Sequence, residues 1–177
     1  MIELHSSSPD NTRAIAATVA SIARAGDLIV LVGQMGAGKT AFAQGFAKAL
    51  GIDEPVTSPT YTLVHTYATG ASTPARTLHH VDLYRLEHTA EVDDLALAEL
   101  LDDRSIMLVE WGDVVDLGPH LRIELRIDDP TVGASDDTHG ADADGLDGRE
   151  ITIESTGRGW ASRWAALDDA LEQWSVS

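Results

Sequence analysis

The chain has 177 residues, 44% of them hydrophobic, with 12 basic against 29 acidic residues and a net charge of −17. That size and apolar share suit one globular domain with a single sizeable core and exclude a disordered chain, while the absence of cysteine excludes disulfides, thiolate metal sites and a cysteine nucleophile. The acidic balance repels phosphate backbones and anionic lipid, which argues against tight nucleic-acid or membrane binding by this chain alone; solubility is its plainest purpose, attraction of a basic protein partner the alternative.

The opening MIELHSSSPD lacks the basic region and apolar stretch of a secretory signal, and no apolar run approaches the roughly 20 residues that span a bilayer. A cytoplasmic location is therefore expected. Ser8-Pro9-Asp10 reads as a helix start, and Ile15, Val19 and Ile22 continue at helical spacing to about Arg24. Leu28 to Val32 is a continuous apolar run, the pattern of a strand buried on both faces. A glycine-rich turn follows, then a helix from Thr40 to Leu50 that stops at Gly51. Thr60–Tyr67 and Thr77–Leu83 read as strands, with Ala68–Ala75 a loop between them. Glu91–Leu101 carries Val92, Leu95 and Leu100 on one face and reads as a surface helix. Ser105–Trp111 contains a second strong apolar run. Leu121–Ile127 and Arg149–Glu154 alternate as an antiparallel pair would. The stretch 130–148, rich in Gly, Asp, Ala and Thr, reads as a flexible acidic loop inside the domain, and a last helix from about Trp160 to Trp174 is anchored by Trp160, Trp164 and Trp174. The fold expected is a single α/β domain spanning residues 1–177: a mostly parallel sheet flanked by helices, with antiparallel strands toward the C-terminus.

Gly33-Gln34-Met35-Gly36-Ala37-Gly38-Lys39-Thr40 matches the phosphate-binding pattern G-x-x-x-x-G-K-[ST] in full. Gly33, Gly36 and Gly38 let successive backbone amides, including that of Ala37, turn inward as an anion nest, and the helix that follows adds its positive end. Lys39 reaches the β- and γ-phosphates, and the Thr40 hydroxyl is placed for Mg²⁺. A chance match in such a chain has a probability of roughly 1%, and this one lies between a buried strand and a helix, so a merely structural glycine turn is set aside. Gly36 to Ala41 also fits G-x-G-x-x-[GA], but that dinucleotide fingerprint needs an acid about 20 residues on, and Thr57–Tyr67 holds none.

A P-loop ATPase also needs a strand-end carboxylate for Mg²⁺ or for the attacking water. Ile106-Met107-Leu108-Val109-Glu110 has the expected form, and His79-His80-Val81-Asp82 is a less apolar second candidate, with a salt bridge to Arg85 as its plainer alternative. Either Asp82 or Glu110 suits the catalytic water. Val56 to Thr60 is a hydroxyl-rich turn fixed by Pro59: a γ-phosphate switch through Thr57, Ser58 or Thr60, or an ordinary turn. Adjacent His79 and His80 point to opposite faces of a strand, which favours packing or hydrogen bonding over a shared metal. Trp111, on residue chemistry alone, reads as packing. The only lysines are Lys39 and Lys48, and neither lies in an [NT]-K-x-D guanine signature, so ATP is the expected nucleotide. A small-molecule kinase is the rival enzyme, but no arginine-rich lid is present. A non-enzymatic nucleotide-gated scaffold is the rival from another class.

Taken in order, Gly36-Ala37-Gly38-Lys39-Thr40, Ser58-Pro59-Thr60-Tyr61-Thr62-Leu63-Val64, His80-Val81-Asp82-Leu83-Tyr84-Arg85-Leu86 and Val109-Glu110-Trp111 resemble the TsaE family, the bacterial ATPase of tRNA N6-threonylcarbamoyladenosine synthesis. The resemblance spans about residues 1 to 127 and, weakly, the tail. It implies an accessory ATPase working with two partner proteins, of the TsaB and TsaD type, that transfer the threonylcarbamoyl group to the adenosine beside the anticodon. It further implies that Lys39 and Gly36–Ala41 bind ATP phosphates, that Thr40 and Glu110 hold Mg²⁺ directly or through water, and that Asp82 orients water. Ser58-Pro59-Thr60 would be the switch, Trp111 would be coupled to the site, and Arg149, in a tail resembling the family's, would approach the nucleotide. Three departures stand out: Gln34 where the family usually has an acid, Ala41 in place of a common second threonine, and a longer 130–148 segment.

Overall fold

The structure is a computed structural model and describes residues 1–59, 62–84, 97–114, 116–128 and 148–176. In chain order the elements are β1 (Ile2–Ser6), α1 (Pro9–Ile22), β2 (Leu28–Val32), α2 (Lys39–Ala49), β3 (Val64–Ala68), β4 (Thr77–Asp82), α3 (Leu97–Leu100), β5 (Ser105–Glu110), β6 (Leu121–Ile127), β7 (Arg149–Ser155) and α4 (Trp164–Leu171). Seven strands form one sheet in the order β1-β7-β6-β2-β5-β4-β3. β2 runs parallel to both β5 and β6, and β4 parallel to β5. β3, β7 and β1 add antiparallel at the flanks. The architecture is the mixed, centrally parallel α/β sheet that the motif order predicts.

The apolar pattern explains the layering. Along β2, Ile29 and Leu31 enter one core with α1, α2 and α4, while Leu28, Val30 and Val32 enter a second core on the other face. β5 divides the same way, with Ile106 and Leu108 on one side and Met107 and Val109 on the other. A strand covered on both faces has no polar positions to offer, hence the unbroken runs. β6 keeps only Leu121, Ile123 and Leu125 fully buried and alternates with Arg122 and Glu124.

Ser8 caps α1 by accepting from the Asn11 amide, with Pro9 in the first turn. α1 packs on α2 so closely that a Cβ on Gly45 would lie 2.3 Å from the Arg13 carbonyl oxygen, a contact only glycine permits.

Several expected boundaries move. Of the strand expected over Thr60–Tyr67, residues 60 and 61 lie outside the described residues, and the strand begins at Val64, because Thr62 and Leu63 donate instead to the Pro59 carbonyl at 3.0 and 2.7 Å. The last helix is α-helical only through α4, with 3-10 turns at Ala161–Arg163 and Glu172–Trp174. Trp160 is buried, and Trp164 and Trp174 pack on the core as expected of anchors. Of the expected Glu91–Leu101 helix, residues 91–96 lie outside the described residues, as do 130–147 of the expected acidic loop. β1 was not foreseen. Among the described residues no helix is long and apolar enough to cross a membrane.

Candidate functional site

β2 ends at Val32 and the chain turns at once into the glycine loop. Gly33 takes φ +144°, and a Cβ there would lie 2.2 Å from the Leu125 carbonyl oxygen on β6, so glycine is required by both angle and space. Gly38, at φ +106°, is the N-cap of α2 and supplies no capping side chain. The first-turn amides of α2 therefore face outward with no side-chain acceptor from the cap, the arrangement that suits a bound anion.

Parallel neighbours β4 and β5 place Asp82 and Glu110 opposite each other at their C-terminal ends, one strand spacing (about 4.8 Å) apart. Both are nearly inaccessible, at 2% and 3% exposure. Buried carboxylates need partners. Asp82 accepts from Ser58 Oγ at 2.5 Å and from the Tyr84 amide at 2.9 Å. Glu110 Oε1 lies 2.9 Å from Nε2 of the fully buried His80. A carboxylate only accepts, so His80 carries its proton on Nε2 and donates. His79 turns the other way, its Nδ1 3.0 Å from Thr66 Oγ1, as the opposite-face argument expects.

Lys39 opens α2 against these acids. Its Nζ donates to the carbonyls of Gly33 and Gln34 at 2.5 and 2.9 Å and lies 3.8 Å from the centre of the Trp111 ring. Burial lowers the ammonium from its ordinary 10.5, against the opposing pull of Glu110, Asp82 and Asp113. Trp111 leans on Tyr84 at 5.1 Å between rings and takes φ +62°. The only other non-glycine residue of positive φ among those described is Leu63, whose carbonyl accepts from the Asp82 amide at 3.0 Å. Left-handed backbone at bulky residues is strained; Trp111 lines the cleft itself, and Leu63 is tied to it through Asp82.

The cleft, about 310 Å³, is lined by Gly36, Gly38, Lys39, Thr40, Ser58, Asp82, Glu110 and Trp111 of the expected residues, together with Met35 and Tyr84. Met35 and Tyr84, 67% and 48% exposed, were not foreseen as site residues. Their signal lay in their neighbours: one is within the glycine loop, the other two residues after Asp82. His80 enters through Glu110, a link the strand pattern alone did not carry. Gly33 and the buried Ala37 shape the loop from behind and do not line the cleft; Ala41 and Arg149 do not line it either. Thr60 and Arg85 lie outside the described residues.

The donor set suits MgATP. Mg²⁺ keeps several waters and needs only one or two protein oxygens beside phosphate, which Thr40 and Glu110 can supply. Among the described residues no group of three or more His, Asp or Glu forms an all-protein metal cage.

Comparison with known proteins gives one consistent result. The model of the family described as "Threonylcarbamoyl adenosine biosynthesis protein TsaE" matches residues 6–135. The tRNA threonylcarbamoyladenosine biosynthesis protein TsaE of Bacillus subtilis (strain 168) is 40% identical over 120 residues, covering 67% of this chain and 72% of that protein. Its namesake from Streptomyces coelicolor is 35% identical over 152 residues, covering 85% and 94%. A crystal structure of YdiB from Bacillus subtilis matches with TM-score 0.67 and 29% identity, over 98% of this chain and 97% of that one.

Proposed function

Because the chain belongs to the TsaE family of tRNA threonylcarbamoyladenosine biosynthesis proteins, we propose that it binds and hydrolyses ATP with Mg²⁺ in support of that modification. The observation that carries this reading is the convergence of Lys39, Thr40 and two buried strand-end carboxylates on one cleft. MgATP bound there supplies the phosphoryl chemistry. The chain's own residues position it. The glycine-loop amides and Lys39 hold the phosphates, Thr40 and Glu110 hold the metal, and Asp82 orients water for attack. His80 fixes the Glu110 carboxylate, while Ser58 fixes that of Asp82. Trp111 covers the ammonium and keeps water from it.

In this reading hydrolysis is slow in the isolated chain and depends on two partner proteins of the TsaB and TsaD type. They carry out the threonylcarbamoyl transfer, and this chain resets their complex in the cytoplasm. The test is an ATPase assay with and without the two partners, joined to rescue of tRNA modification in cells lacking this protein. Stimulated release of phosphate to water is expected. Fast turnover indifferent to partners, or phosphate passed to a small acceptor as in a kinase, would contradict it.

Glu110→Ala is expected to weaken MgATP binding about ten-fold and to flatten its dependence on Mg²⁺, leaving metal-free nucleotide binding little changed. A nucleotide titration at graded Mg²⁺ checks this. An unchanged Mg²⁺ dependence would remove Glu110 from the metal site.

A further inference from the structure

We infer that Arg149 is a positioning residue for the phosphate loop: it holds the outer carbonyls of that loop and thereby aims the Gly38 amide into the cleft. The inference rests on the nucleotide-binding reading above, and it gives Arg149 a part other than direct contact with nucleotide. Arg149 opens β7, in register with Ile127 of β6 and Ser6 of β1. From there Nε donates to the Ala37 carbonyl at 3.1 Å and Nη2 reaches the Gly36 carbonyl at 3.4 Å, while Nη1 donates to Gly148 O at 2.7 Å. The bond to Gly36 is the longer of the two.

The peptides described are all trans. In a trans peptide the carbonyl of one residue and the amide of the next point in opposite directions across one plane. Holding the Ala37 carbonyl on the β7 side therefore turns the Gly38 amide the other way. Gly38 lines the cleft, whereas Ala37 is fully buried behind it. The peptides here need an external restraint, because Gly36 and Gly38, at φ +80° and +106°, have no side chain to hold their orientation. A planar guanidinium fork spans two successive carbonyls; an ammonium could hold only one well. The clamp also brings a positive charge to the loop from the side opposite Glu110 and Asp82, because β6 and β7 lie across β2 from β5 and β4.

The experiment measures MgADP affinity by calorimetry for the wild type, Arg149→Met and Arg149→Lys, with ligand-free melting curves and amide spectra for each. MgADP engages the same loop without turnover. Arg149→Met is expected to bind about ten-fold more weakly at nearly unchanged melting temperature, and Arg149→Lys to fall between. The Gly38 amide resonance of the ligand-free chain should move in Arg149→Met while those of α4 stay. Wild-type affinity with an unmoved Gly38 resonance in Arg149→Met would overturn the inference alone. Should Arg149→Met not fold, Arg149→Lys decides: weakened binding at unchanged melting supports the clamp, and unchanged binding overturns it. A wild-type chain that does not bind MgADP would remove the nucleotide reading and this inference with it.

Discussion

Lys39→Ala is expected to lower ATP turnover at least about 100-fold while the chain stays folded. The ammonium is the one strong cation among the described residues lining the cleft, and it lies between the glycine loop and the two carboxylates. Its loss removes charge stabilisation where charge gathers on the transferred phosphoryl group. The fold survives because burial disfavours the charged form, as the lowered proton affinity of Lys39 records. That direction also sets a pH signature. The folded chain gives up the Lys39 proton below the ordinary 10.5 of the unfolded chain. Between those two values the unfolded state holds more protons, so stability rises with pH. The wild type should therefore gain stability relative to Lys39→Ala between pH 7 and pH 10. Denaturant unfolding of both chains at the two pH values checks it. Retained turnover in the variant would remove Lys39 from the site.

Away from the cleft, the largest effect is expected at a buried ion pair. Arg163 donates through Nη1 and Nη2 to the two carboxylate oxygens of Asp27 at 2.7 and 2.8 Å, and it also holds the carbonyls of Ile22 and Gly159. Its guanidinium lies 4.1 Å from the centre of the Trp160 ring. The pair ties the turn before α4 to the turn between α1 and β2. Replacing one partner leaves the other charge buried, which costs about 3 kcal/mol, so Arg163→Met should lower the melting temperature by roughly 10 °C. Asp27→Asn with Arg163→Met should cost less than the sum of the single changes, since no lone charge remains. A thermal melt of the three variants decides; additive losses would mean that the pair is not coupled. Nucleotide affinity of the folded fraction should stay at the wild-type value, because neither residue lines the cleft.

What could be read from the sequence follows from the range of the interactions involved. β2, the glycine loop and α2 form a contiguous unit whose signals are local: a doubly buried run, positive-φ glycines and a stop at Gly51. β6 and β7 were legible as a pair because alternation survives wherever one sheet face is less covered. β1 is not legible locally, although Ile2, Leu4 and Ser6 alternate, because its five residues acquire meaning only through pairing with β7 far along the chain. The start of β3 is not legible in the sequence, because the Pro59 carbonyl captures the amides of Thr62 and Leu63, bonds that β-propensity does not encode. In the site, Lys39, Thr40, Asp82 and Glu110 could be named from motif and strand ends. Their mutual placement, the His80 support for Glu110 and the reach of Arg149 to Ala37 depend on strand order, which separates partners by dozens of residues in sequence.

Calorimetric titration of the full chain with MgATP, beside Lys39→Ala, tests most directly whether this cleft holds a nucleotide by its phosphates. The account predicts a saturable one-to-one heat in the wild type that is lost in the variant. No heat in the wild type, or the same heat in both chains, would contradict it.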